Sequence, residues 1–201
     1  MNINEELRNE ILSMAEEDRS VRDALAEDGS LFDGYHPKME DVHKRNAARL
    51  AAIIDEHGWP GRSMVGEDGT EAAWRIVQHS IGDTELQRRC LSLIKDAASS
   101  NESPSWQIAY LEDRIRSFEG RPQLYGTQYD WDERGEMSPY PEIEDPQHVD
   151  ERRLAAGLTS LAENTRCMRE GVAGTKERPP DDLQKRREEM DKWAKSVGWR
   201  R

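Results

Sequence analysis

Apolar positions recur at helical spacing along most of the chain, and placed at 100° per residue they predict helices over about 4–28, 38–57, 67–81, 84–98, 104–119, 147–170 and 180–196. Local signals fit these bounds. Asp83 and Ser103 are suited to cap the helices that follow them, Pro104 suits a first turn, and Gly58 and Gly120 suit helix ends. Residues 121–143 break the pattern, because aromatic and β-forming residues flank the turn-prone Asp132-Glu133-Arg134-Gly135. The expected fold is therefore mainly α: a helical domain of about six helices over 1–170, one inserted β-hairpin at about 121–143, a linker at 171–180 and a charged helical tail at 181–201.

Charge adds to this picture. The 201 residues carry 29 basic and 41 acidic side chains, a net charge of -12, and no apolar run approaches the roughly 20 residues of a bilayer span. An acidic chain gives nucleic acid no electrostatic reason to bind. The first residues carry acids where a secretory leader needs bases followed by an apolar run, so the expectation is a cytoplasmic protein without a membrane role. The tail is different: residues 176–201 hold nine basic and six acidic side chains, which leaves 20 against 35 on residues 1–175. Such a tail can lie on the acidic body of its own molecule or of a second copy, giving a homodimer, and its removal from 172 onward is expected to leave a folded body. Cys90 and Cys167 are too few for a disulfide framework and have no CxxC spacing, so both read as buried thiols rather than as zinc ligands.

Candidate chemistry lies where polar residues fall on apolar faces. On the helix over 38–57, His43 and Asn46 fall inside the stripe of Met39, Ala47, Leu50, Ile53 and Ile54, so they are expected to be buried or to line one shared cavity. Gln78 and His79 border the arc of Ala72, Ala73, Ile76 and Val77. An imidazole at such a boundary is accessible and can exchange protons near neutral pH. Arg114 shares a stripe with Ile108, Leu111, Ile115 and Phe118, so it needs a carboxylate or an anionic ligand; Asp150 is the expected ion-pair mate, and Arg114 or Arg153 the expected anion holder otherwise. In the hairpin opening, alternation turns Gln123, Tyr125, Thr127 and Tyr129 one way and Leu124, Gly126 and Gln128 the other. Asp130, Asp132 and Glu136 do not complete the spacing of a calcium loop.

The segments His43-x-x-Asn46, Gly58-Trp59-Pro60, Val65-Gly66-Glu67-Asp68-Gly69, Gln78-His79, Leu111-Glu112-Asp113-Arg114, Gln123-Leu124-Tyr125-Gly126-Thr127-Gln128 and Val149-Asp150-Glu151-Arg152-Arg153 are distinctive together. Over about residues 5–170 the chain resembles a bacterial family, well populated in actinobacteria, that is catalogued as a domain of unknown function. That resemblance implies membership and carries no activity; Ser80 stands where many relatives read Ala.

These readings combine into one functional expectation. His43 and His79 are the candidate general acid and base, while Asn46, Gln78, Arg114, Gln123, Tyr125 and Gln128 are expected to bind a polar small molecule, with no metal and no cofactor. Hydrolysis, cyclisation or isomerisation would fit. The competing expectation is a regulatory interaction module without catalysis, anchored by exposed Trp193 and Trp199.

Overall fold

The computed structural model describes residues 3–32 and 34–201, and the chain divides into two compact units, Met1–Gln107 and Ile108–Arg201. The division falls inside the fifth helix. Among the described residues the elements are eight α-helices and one two-stranded antiparallel sheet.

The first unit is built on α1 (Glu5–Asp28), α2 (Pro37–His57), α3 (Arg62–His79) and α4 (Thr84–Ser99). Asn4 starts α1 by accepting the Leu7 N–H, and Gly29 ends it in the left-handed conformation. His36 caps α2, with Nδ1 accepting the Lys38 N–H at 3.1 Å ahead of Pro37. A ladder of contacts fixes α2 antiparallel to α1: Arg45 meets Glu17, Asn46 meets Met14, and Arg49 meets Glu10. Parallel pairing of α1 with α3 follows from Arg8 with Asp68 near one end and Asp18 with His79 near the other. The buried faces converge on Ile11, Leu50, Ile53, Val65, Ala73, Ile76 and Ile94. α3 begins earlier than its apolar pattern predicts, and it is kinked at Gly66, whose φ of 76° and ψ of 175° leave helical space. Asp83 caps α4 through the Leu86 N–H as expected, whereas the Ser103 hydroxyl is occupied by the Trp59 indole N–H at 2.8 Å.

The second unit holds the rest of α5 (Ser105–Phe118), strands β1 (Tyr129–Trp131) and β2 (Met137–Pro139), and helices α6 (Val149–Ala155), α7 (Leu161–Ala173) and α8 (Leu183–Ser196). β1 and β2 pair Tyr129 with Pro139 and Trp131 with Met137 around the expected turn. The continuous helix expected over 147–170 is instead two, because Gly157 takes a φ of 75° and Ser160 caps a new start. The tail is not a loose appendage. Trp199 is buried, and both Trp193 and Trp199 have ring centroids 5.4 Å from that of Phe118. Arg200 also donates to the Phe118 and Ser117 carbonyls. The expected exposure of both tryptophans is thus corrected: a tail read as charged because of its many ions also carries aromatic anchors, and these dock within the second unit.

Candidate functional site

In the first unit the chemistry gathers around one carboxylate. Asp18 lies on the buried stripe of α1 with Leu7, Ile11, Ala15 and Leu25, and only 2% of it is exposed. An unpartnered carboxylate there would cost several kcal/mol, so it must be paired. The His79 ring supplies that partner, with Nδ1 at 3.0 Å from Asp18 Oδ1 and 2.9 Å from Oδ2. His43 Nε2 lies 3.3 Å from Asp18 Oδ2, and its other nitrogen, Nδ1, hydrogen-bonds Tyr35 Oη at 2.8 Å. The two imidazole centroids are 5.3 Å apart.

Each position follows from local structure. His43 comes inward because it shares the buried face of α2, while His79 is the last residue of α3, where the helix end lets its ring reach back to α1. His43 is 9% exposed and the His79 side chain 27%, so His79 is the accessible member. Burial pushes the Asp18 carboxyl up, yet the two imidazoles outweigh it and hold its pKa well below the usual carboxylate range. A carboxylate only accepts, so a neutral His79 carries its proton on Nδ1 and presents Nε2 as an acceptor. Burial, aided by the charges of Glu40 and Asp18, pushes the Tyr35 hydroxyl well above its ordinary value, which keeps it protonated.

Asn46 is buried one turn from His43, but its Nδ2 donates to the Met14 carbonyl at 3.0 Å and so pins α2 to α1. Gln78 is buried next to His79, and its own carbonyl lies 3.3 Å from Gln87 Nε2. The structure therefore brings His43 and His79 to one point and gives Asn46 a helix-packing bond.

The remaining candidates belong to the second unit, where they organise a loop. Residues 123–128 do not form the expected strand: Gly126 takes a φ of 66°, and Gln123 forms an isolated bridge to Ile143. A side chain at Gly126 would come within 2.7 Å of both Ile143 and Leu161. Asp113, fully buried, accepts the N–H groups of Leu124, Tyr125 and Thr127 and the Thr127 hydroxyl at 2.6–3.1 Å. Burial pushes the Asp113 carboxyl up while these donors pull it down. From the other side, buried Arg153 donates to the carbonyls of Thr159 and Tyr125. The Gln123 amide is consumed likewise: Nε2 donates to the Gln128 and Pro141 carbonyls, and Oε1 accepts the Gln128 N–H. Gln128 Nε2 donates to Thr127 Oγ1.

Two further candidates lie in this unit. Asp150 is exposed, and its Oδ1 accepts the Leu161 N–H at 2.7 Å at the start of α7, while Arg114 is half-buried. Arg153 is held by carbonyls, so its guanidinium is committed to the loop. The motifs running through both units are matched over residues 5–177 by the model of a family of unknown function, DUF6624. The chain belongs to this family. No curated protein and no solved structure matches it. In this DUF6624 chain the matched span takes in α1–α7, and α8 lies beyond it.

Sequence reasoning missed Asp18, Tyr35 and the bracing role of Asp113. Asp18 was within reach: it stands seven residues from both Ile11 and Leu25 on one helix face, the test that singled out His43. Tyr35 sits between helices, where no periodicity points to it.

Proposed function

We propose that this protein binds a polar small molecule at the Asp18–His43–His79 centre and transforms it in a reaction that moves a proton, such as a hydrolysis, a cyclisation or an isomerisation. The observation that carries this reading is the 2.9 Å contact between a buried carboxylate and an accessible imidazole. A carboxylate at Nδ1 orients the ring, fixes which nitrogen carries no proton in the neutral form, and stabilises the imidazolium formed when Nε2 takes a proton from water or a substrate hydroxyl. His43 adds a second ring beside the same carboxylate, backed by Tyr35. The loop of Gln123, Tyr125 and Gln128 is read as a rigid structural element of its own unit, since its polar groups are largely spent internally.

The test is turnover of a panel of esters, amides, lactones and phosphoesters by the wild type and by Asp18→Asn and His79→Gln. The reading expects activity on one class, reduced at least about 100-fold in both variants, as for loss of an acid–base group. Activity that survives in both folded variants would overturn it.

A further inference from the structure

We propose that Asp18, His43 and His79 form a binding site for a first-row divalent transition cation, of which Zn2+ is the probe. Three donors of two kinds that suit such an ion meet here, one carboxylate oxygen and two imidazole nitrogens, and these ligand atoms all lie within 4.8 Å of one another. The spacing is informative. Donors about 2.0–2.1 Å from a common ion are about 3.3 Å apart along a tetrahedral edge and about 2.9 Å along an octahedral one. Asp18 Oδ2 is 3.3 Å from His43 Nε2 and 2.9 Å from His79 Nδ1.

A second, independent observation comes from His43. Its Nε2 is buried yet makes no hydrogen bond among the described residues, although Asp18 Oδ2 is 3.3 Å away. The two atoms therefore sit side by side, as two ligands of one ion do, rather than aiming at each other. A buried polar nitrogen left this way is destabilising, and an ion would supply the partner it lacks. The far nitrogen of the same ring meets Tyr35 Oη at 2.8 Å, the kind of oxygen partner that fixes the tautomer and orientation of a ligating imidazole. Three protein ligands leave a fourth position, on the side where His79 is accessible, for water or a substrate oxygen.

This inference shares its location with the proposed reaction centre and rests on that reading only for what the ion would do. The proton between Asp18 and His79 and a divalent ion are two fillings of one space. With the ion in place the histidines serve as ligands, and the ion supplies an activated water.

The test titrates Zn2+ into the chelator-stripped full chain carrying Cys167→Ser, which removes the exposed thiol as a competing ligand. Calorimetry and the thermal midpoint are read together. The expected result is one ion per chain, a raised midpoint, and affinity reduced at least tenfold in Asp18→Asn and in His43→Gln but not in His148→Gln, which alters an exposed histidine of the other unit. Midpoints measured without metal establish that each variant is folded, and Asp18→Asn serves alone should His43→Gln unfold. Absence of one-to-one binding, or equal binding by the folded variants, overturns the proposal. Turnover without metal binding would remove this inference and leave the reaction centre standing; metal binding without turnover of any panel substrate would do the reverse.

Discussion

Asp18 and His79 are 61 positions apart, yet the carboxylate of one and Nδ1 of the other meet at 2.9 Å, joining the middle of α1 to the last residue of α3. The contact is also a packing element, since a buried acceptor and its donor must stay together. Asp18→Ala is expected to destabilise the metal-free protein by about 2–4 kcal/mol, because it strips the His79 ring of its acceptor, removes the carboxylate beside His43 and leaves a cavity. Urea unfolding measures this, and a loss below about 1 kcal/mol would show that the carboxylate is not integral to the first unit.

Asp113 makes the corresponding prediction for the second unit. Asn at this position turns one acceptor atom into a donor that faces N–H groups already pointing inward. Asp113→Asn is expected to cost about 2–4 kcal/mol and to release the loop, with faster hydrogen exchange at Tyr125 and Thr127 than elsewhere in the unit. Unchanged exchange at these two amides would contradict the bracing role.

The hairpin turn has a pH signature. The Asp132 carboxyl accepts the Glu136 and Arg134 N–H groups and is held at about 2, below its ordinary 3.8. A depressed carboxyl contributes stability in full above its unfolded value, and that contribution is lost as pH falls from about 4 through about 2. A carboxyl carbon titration by NMR is expected to give a midpoint near 2 in the native protein; a midpoint near 4 would show that the turn bonds are not formed.

The two thiols part company. Both read as buried from sequence, but only Cys90 is; Cys167 is exposed on α7. Burial pushes the Cys90 thiol up to about 12. A thiol reagent at pH 8 is expected to label Cys167 alone in the native protein and both after unfolding, because the thiolate is the reacting species. Rapid labelling of Cys90 in the native state would contradict the packing of α4.

Trp199 tests the docked tail. Its truncation to Ala is expected to destabilise the second unit by about 2–4 kcal/mol through lost contact with Phe118. A neutral effect would return the tail to the loose appendage that its charge pattern suggests.

What was legible in the sequence follows the range of the interactions involved. Helices α2 and α4 and the turn at Asp132 follow from periodicity and capping, which act over a few residues. His43 was legible because it interrupts an apolar stripe on its own helix. The loop over 123–128 was not: its alternation reads as a strand, but its conformation is set by Asp113 and Arg153, 11 to 28 positions away in sequence. The break of the last long helix of the body turns on the left-handed Gly157, which the leucine pattern on either side conceals. The exposure of Asp150 was not legible either, because wheel position alone does not say whether a residue is covered.

The most direct test of the centre is the imidazole spectrum of protein labelled with 15N-histidine, recorded while polar substrates from the panel are titrated in. The account expects a bound molecule to shift the His79 and His43 ring signals together, to leave His36, His57 and His148 unmoved, and to lose both effects in Asp18→Asn. A ligand that binds without moving His79, or that moves it equally when Asp18 is replaced, would contradict the assignment of this site.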